Sequence, residues 1–470
     1  MAEPLSASLR RDLGTIESYA ALLGILIGAG IFKVTSDAWA LTCPSVILGY
    51  LVLAPAILST SVAYSVFLST PLGREPGGEY THLSRTFGGY GAAFVGVWLK
   101  IISYIGALAY LARAFADYLI ELFGGAVPKS AAVPIAAASL VFFYGIHVAG
   151  VRWFGRIQVW MCMLLGLSLI VLIAPGLFAI RMANYHPFFT HGAGGFAKSL
   201  PLIFFAYAGF ESLAQTAGEV RDSTRRLPRI FLRGIAATTI IYFLMSAVAF
   251  GVLPGAELRL SDAPMAAVAS HYLPIGAAWF VTLGAVMALS TSVNATMLVP
   301  SRVGIMLAED GLAPRFIGAI SPRTGTPING LTMTLVVTLL LLVSGQVSLA
   351  LNIAVFALVT LYFLHSLALL LLPRANPALY ASVTIPLPSA IQRISAVISL
   401  LAMGTLIVVQ LAGDWTVLTR LSFRQRIEQA SLTTIELIVF WSAIGAVLYL
   451  IAAKRRQRMG ERSSAGTIED

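Results

Sequence analysis

Apolar residues in this 470-residue chain arrive in blocks of about twenty separated by short polar stretches, the length a helix needs to cross a hydrocarbon core of roughly 30 Å. Twelve blocks run approximately over 16–41, 44–68, 91–122, 131–149, 155–180, 196–218, 234–254, 274–307, 328–343, 347–372, 390–411 and 432–453. A transmembrane barrel would instead show strands of about ten residues with alternating polarity, and no such alternation occurs. The pattern predicts an all-α polytopic membrane protein of about twelve helices. Composition agrees: 58% of residues are hydrophobic and 11% charged, against about 25% charged in soluble domains.

The polar start MAEPLSASLRRDLGTIES leads into a full-length block rather than the short one of a cleavable signal. Basic loop residues are retained on the cytoplasmic side. With both termini inside, 21 of the 31 Lys and Arg residues fall in cytoplasmic segments and 8 in outer ones, while Lys100 and Arg113 lie within the third block. That bias predicts an even number of spans in a cytoplasmic membrane. The net charge of +10 is spread over these loops and the tail KRRQR at 454–458, so the expected partner is an anionic inner leaflet rather than nucleic acid. Cys43 and Cys162 imply neither a disulfide framework nor a metal site, and the six histidines show no ligand spacing. A nucleophile paired with a base is absent too, so no enzyme is expected. A channel would need a continuous polar path or a filter loop, and neither is found.

The first block carries Gly24-Ile-Leu-Ile-Gly28-Ala-Gly30-Ile-Phe32. On one reading, Gly24 and Gly28 form a small-residue face for close helix packing. On the other, Gly28-Ala29-Gly30 interrupts the helix and bares N–H groups, which survive in lipid only where they line a cavity or meet a ligand. The sixth block has a second interruption, Ala208-Gly209 ahead of Glu211, about 180 residues later. If blocks 1–5 and 6–10 are two halves, the breaks occupy equivalent places. Paired interruptions of this kind point to a transporter site between inverted repeats.

Four stretches in order resemble the amino acid, polyamine and organocation transporter superfamily, nearest to bacterial amino acid permeases and cationic amino acid transporters. They are GILIGAGIF, PLGREPGGEYTHLSRTFG at 71–88, FFAYAGFESLAQTAGEVRDSTRRLPR at 204–229, and NATMLVPSRVGIMLAEDGLAPRFIGAISPRTGTPING at 294–330. The resemblance implies a cytoplasmic N-terminus at 1–15, repeats at 16–180 and 196–372, two peripheral helices at 390–453, and a basic tail at 454–470. It implies that a substrate carboxylate meets the N–H groups of Gly28, Ala29 and Gly30 at the positive end of a half-helix. An ammonium would meet carbonyls of Phe205, Ala206 and Ala208, beside the space left by Gly209.

Charges inside a membrane are functional hypotheses by default. Glu211 stands where the family carries an acid and reads as a proton-linked or gating carboxylate, or as a structural cap. Lys100 is too deep to snorkel and has no partner evident in sequence, so pocket function and a structural pair both stay open. Arg113 and Asp117, at i and i+4, read as a local pair. His365 is a relay candidate against the blander hydrogen-bonded histidine, and Lys33 a vestibule cap or simply a solvated side chain. Of the aromatics, Tyr207 is the gating candidate. Some proton-coupled relatives carry a lysine in span 5; IQVWMCMLLGLSL at 157–169 has none. Ser290, Thr291 and Ser292 offer hydroxyls for a coupling sodium, leaving H⁺ or Na⁺ as the driving ion. The function expected is a secondary transporter moving an amino acid or related amine by alternating access. The alternative is a transporter of the same fold for an inorganic ion or organic acid.

Overall fold

The computed structural model describes residues 5–32, 38, 40–123, 126–261, 263–428 and 432–465. Among them no strand occurs, and the only β-type pairing is an isolated parallel bridge between Leu13 and Val220. Eleven helices are long and apolar enough to cross a membrane, and a twelfth, Ile328–Val343, is shorter. The spans in order are Thr15–Phe32, Val46–Leu68, Gly91–Leu122, Lys129–Val148, Val151–Gly176, Gly192–Gln215, Ser223–Val252, Ile275–Glu309, Ile328–Val343, Val347–Ala375, Ser389–Arg420 and Thr434–Ala465. Several outrun their apolar blocks. The seventh starts at Ser223 rather than near 234, carrying Arg225, Arg226 and Arg229 on its first turns. Apolar length marks where a helix lies in hydrocarbon, whereas backbone hydrogen bonding continues into the headgroup region.

The third span packs along the tenth and the eighth, the fifth along the eighth, the second along the seventh, the first against the seventh, and the sixth against the second. These ten enclose the core. The eleventh lies outside on the second and tenth, and the twelfth touches the third and tenth. Trp98 and Trp441 join third and twelfth by parallel stacking at 4.4 Å and by reciprocal indole hydrogen bonds to each other's carbonyls at 2.7 and 2.8 Å. Large apolar side chains such as Trp160, Ile170, Leu401 and Phe440 face outward. That is the arrangement expected of a surface solvated by acyl chains.

The face carrying the N-terminus is tied shut by polar contacts. Leu13 N–H donates to the Glu219 carbonyl at 3.0 Å, and Arg221 N–H donates to the Leu13 carbonyl at 2.9 Å. Arg302, in the eighth span, grips the Glu219 carboxylate with Nη2 at 2.9 Å and Nε at 3.2 Å. Both side chains are buried. Arg85 meets Asp310 at 3.3 Å, and Tyr80 donates to the same carboxylate at 2.6 Å.

Candidate functional site

The first span stops at Leu26 and resumes at Ala29–Phe32. Ile27 leaves the helical region at φ −82°, ψ 60°. The three glycines have three different reasons. A Cβ on Gly24 would press on Gln158 and on Thr291 Cβ at 2.8 Å; one on Gly28 would overlap Ser292 Oγ; one on Gly30 would come within 2.5 Å of Ala206 Cα. Gly24 and Gly28 therefore bring the first span against the fifth and eighth, as the packing reading expects. Gly30 brings it against the sixth. Carbonyls near the break are capped from the eighth span: Thr291 Oγ1 donates to Gly24 O at 2.8 Å, and Ser292 Oγ to Gly24 O and Ile25 O at 2.9 and 3.2 Å.

The sixth span breaks likewise. Its helix Gly192–Tyr207 ends in an extended Ala208, ψ 148°, and Gly209 follows at φ +103°, a conformation that favours glycine. Helix resumes at Ser212–Gln215. Both breaks line one cavity of about 30 Å³, walled by Gly30, Ala206, Ala208, Gly209, Phe205, Ile25, Leu26, Ala107, Leu111, Leu358, Tyr104 and Thr296. That is room for one or two waters. An amino acid would require the two broken segments to part.

One residue that sequence reading missed joins them. Tyr242 in the seventh span directs its hydroxyl to the Leu26 carbonyl and, at 2.6 Å, to the Ala206 carbonyl. Tyrosine among FLMSAVAF carries no pattern that would have singled it out. Tyr242→Phe leaves the Ala206 carbonyl without that donor, while Leu26 O keeps the Gly28 N–H at 2.8 Å. A loss of about 1–3 kcal/mol is expected for the orphaned buried acceptor, read as a lower Tm in detergent and slower uptake. An unchanged Tm would remove the clamp.

The predicted substrate contacts divide. Gly30, Phe205, Ala206, Ala208 and Gly209 line the cavity, whereas Gly28 does not. Gly28 N–H is also turned back on the Leu26 carbonyl, and the N–H group of Gly30 has no backbone acceptor among the described residues. The Phe205 carbonyl accepts Ala208 N–H at 3.1 Å, leaving Ala208 O the least engaged of the three. Tyr207 is not part of the cavity wall and donates to Tyr50 O at 3.0 Å on the second span. Ser290 bonds Val286 O within its own helix at 2.7 Å; only Thr291 and Ser292 reach the first span. Arg113 and Asp117 form their i, i+4 pair at 3.1 Å, and Lys33 lies outside the described residues.

Lys100 has a partner after all. Its ammonium holds both oxygens of Glu79 at 2.7 and 3.0 Å and stands 3.9 Å from Glu211. Glu79 also accepts from Tyr64 and from Gln215 Nε2 at 2.6 Å. Glu211 accepts from Tyr104 at 2.6 Å, from Tyr362, and from Gly209 N–H at 3.0 Å. Glu211 thereby folds back on the break while two phenols from the third and tenth spans close over it. His365 meets His82 at 2.9 Å beside this cluster. The signal available in sequence was a charge count: a buried lysine needs an anion, and Glu79 follows the strained pair Gly77-Gly78. In the fifth span, Gln158 donates to Ala20 O and Thr291 O, each at 3.2 Å, and accepts from Asn294 at 2.8 Å.

A family model described as "Amino acid permease" matches residues 13–420 and takes in both breaks, the cavity wall and the Lys100 cluster. The chain belongs to the amino acid permease family. It transports amino acids, and its relatives bear transporter names. The branched-chain amino acid permease BcaP of Bacillus subtilis is 26% identical over 68% of this permease and 72% of its own length. The methylthioribose transporter of the same organism is 24% identical over 98% and 97%. The human cystine/glutamate transporter is 26% identical over 74% and 71%. Relatives named for such different substrates are all similar to this chain, so membership of the family does not by itself fix which solute is carried.

Proposed function

We propose that this permease carries a neutral amino acid with an aliphatic side chain across the cytoplasmic membrane by alternating access, with both termini cytoplasmic. The observation that carries the reading is the cavity wall: apart from main chain at the two breaks, it is Ile25, Leu26, Ala107, Leu111, Phe205 and Leu358, with hydroxyls only at Tyr104 and Thr296. The N–H groups of Ala29 and Gly30, at a half-helix N-terminus, suit a carboxylate. The Ala208 carbonyl suits an ammonium. Among the described residues no charged side chain lines the wall, so neither a cationic nor an anionic side chain would recover its desolvation cost against them.

Two inverted repeats, 16–180 and 196–372, are supported by the packing pairs. Exchanging spans 1–5 with 6–10 maps the third–tenth contact onto the eighth–fifth, and the first–seventh onto the sixth–second. Parting of the breaks on one face while the other stays tied would alternate access.

The test is competition for uptake in proteoliposomes, with thermal shift alongside. Leucine, isoleucine and valine are expected to compete and raise Tm, while arginine, lysine and glutamate do neither. Competition by a charged amino acid would overturn the aliphatic assignment. Binding of methylthioribose alone would favour a second reading, which rests on the end-to-end match to a transporter so named.

A further inference from the structure

The first, fifth and seventh spans all start on the N-terminal face, and there the first is held between the other two. A Cβ on Gly155 of the fifth would lie 2.9 Å from Leu13 Cδ2 and 3.2 Å from Glu17 Cγ, and one on Gly234 of the seventh would lie 2.4 Å from Leu22 Cδ2. Arg226 Nη1 donates to Thr15 Oγ1 at 3.1 Å. Leu13 and Glu17 therefore face the fifth span, and Thr15 and Leu22 the seventh. Between these edges, at i, i+3 and i+7, runs an open strip of Ile16, Tyr19 and Leu23. Ile16 is 68% exposed and the other two are half-buried. The flanking spans continue the opening. On the fifth, Gly155, Gln158 and Cys162 meet the first span, and the stripe beside them, Arg152, Arg156 and Met163, is exposed. On the seventh, Gly234 meets the first span, and the stripe beside it runs from a half-buried Arg226 to an exposed Arg233, Ala237 and Ile240. The eighth span covers the other flank of the fifth, and the second span that of the seventh, so both stripes border the strip.

The resulting groove is basic at its mouth and apolar below. Arg152, Arg156, Arg226 and Arg233 stand before or at the start of the apolar stretches of their spans, which is headgroup depth. The Arg156 guanidinium lies 5.8 Å from the ring centroid of Trp153, an aromatic of the kind that marks a membrane interface. Among the described residues none of these four arginines has a carboxylate within ion-pair distance. The nearby acids are otherwise engaged: Asp12 stands 4.0 Å from Arg221, and Glu17 accepts Gly14 N–H at 2.9 Å. Two facing rows of uncompensated cations repel each other, and an anion between them removes that repulsion. Guanidinium forks suit phosphate oxygens, two bonds at a time. We propose that this groove binds one anionic glycerophospholipid of the leaflet on the N-terminal face, with its phosphate between the arginines of the fifth and seventh spans and an acyl chain along Ile16, Tyr19 and Leu23. A zwitterionic headgroup brings its own cation and offsets less of the arginine charge. The lipid touches the first span about one turn before its helix stops at Leu26. The site is independent of which solute the permease carries.

Lipid binding by the full-length permease in detergent tests this, read as retention in native mass spectrometry and as Tm. Dioleoylphosphatidylglycerol is expected to be retained and to raise Tm, whereas dioleoylphosphatidylcholine and inorganic phosphate at the same concentration do neither. Equal effects of the two lipids, or an effect of inorganic phosphate as large as that of phosphatidylglycerol, would overturn the assignment. Arg156→Gln/Arg233→Gln is expected to weaken retention of phosphatidylglycerol about 30-fold, from about fivefold for each basic residue near an anionic surface. The control for diffuse attraction is Lys454→Gln/Arg455→Gln, which removes two charges from the basic tail and is expected to change retention less than about twofold. Unchanged retention in the groove variant, or an equal loss in the tail variant, would overturn the site. Should the groove variant fail to fold, a photoreactive phosphatidylglycerol on the unsubstituted permease decides. Labelling of residues 16–23 supports the groove, and labelling confined to other segments overturns it.

Discussion

Gly30→Leu is expected to lower the initial rate of uptake by about 100-fold or more while leaving the permease folded and inserted. The position is where the two broken spans touch: a single added carbon would lie 2.5 Å from Ala206 Cα, 2.8 Å from its Cβ and 2.9 Å from its carbonyl oxygen. None of these can swing aside, because two belong to backbone and the third to the shortest possible side chain. Leucine must therefore either wedge the segments apart or fill the cavity they enclose. Misplacement of binding groups by about 1 Å suffices for losses of about 100-fold. The added side chain is apolar, so membrane insertion has no reason to fail. Gly166→Leu is the control, since a Cβ there meets nothing within 4 Å. Near-normal uptake by a monodisperse Gly30→Leu protein would show that the approach of the two breaks is dispensable.

Arg302→Met is expected to be the most destabilising single change described here, by about 3–5 kcal/mol, because it strands the Glu219 carboxylate in a buried site. Glu219 is 0% exposed, and its backbone carbonyl is already taken by Leu13 N–H. The loss spreads beyond one pair, since that turn joins the N-terminal segment to the end of the sixth span. Arg302→Met/Glu219→Leu should recover most of the loss, because removing both charges removes the desolvation cost as well. Tm in detergent checks both. A double variant no more stable than the single one would mean that the pair holds the turn by geometry rather than by charge balance.

The breaks were legible because they rest on local chemistry. Gly28 and Gly30 weaken a helix wherever they stand, and Gly209 permits a φ that few other residues accept. What each glycine faces was not legible. Gly28 sits against Ser292 and Gly30 against Ala206, neighbours far away in the chain, and the Gly28 N–H expected to meet substrate is turned back on the Leu26 carbonyl. Tyr207 shows the same limit. Its place among the aromatics beside the break was visible, but the partner of its hydroxyl, the Tyr50 carbonyl on the second span, was not.

The order of twelve spans, their approximate lengths, the two interruptions and the family motifs were all present in the sequence alone, because hydrophobic length and helix failure are properties of neighbouring residues. Only the tertiary structure decided how each failure is repaired. Tyr242 bonds carbonyls on two other spans, Glu79 captures Lys100 from outside its helix, and Glu211 accepts from two phenols with the same ammonium 3.9 Å away. Partners for buried polar groups are chosen by packing between segments tens to hundreds of residues apart, and no periodicity along one segment records that choice.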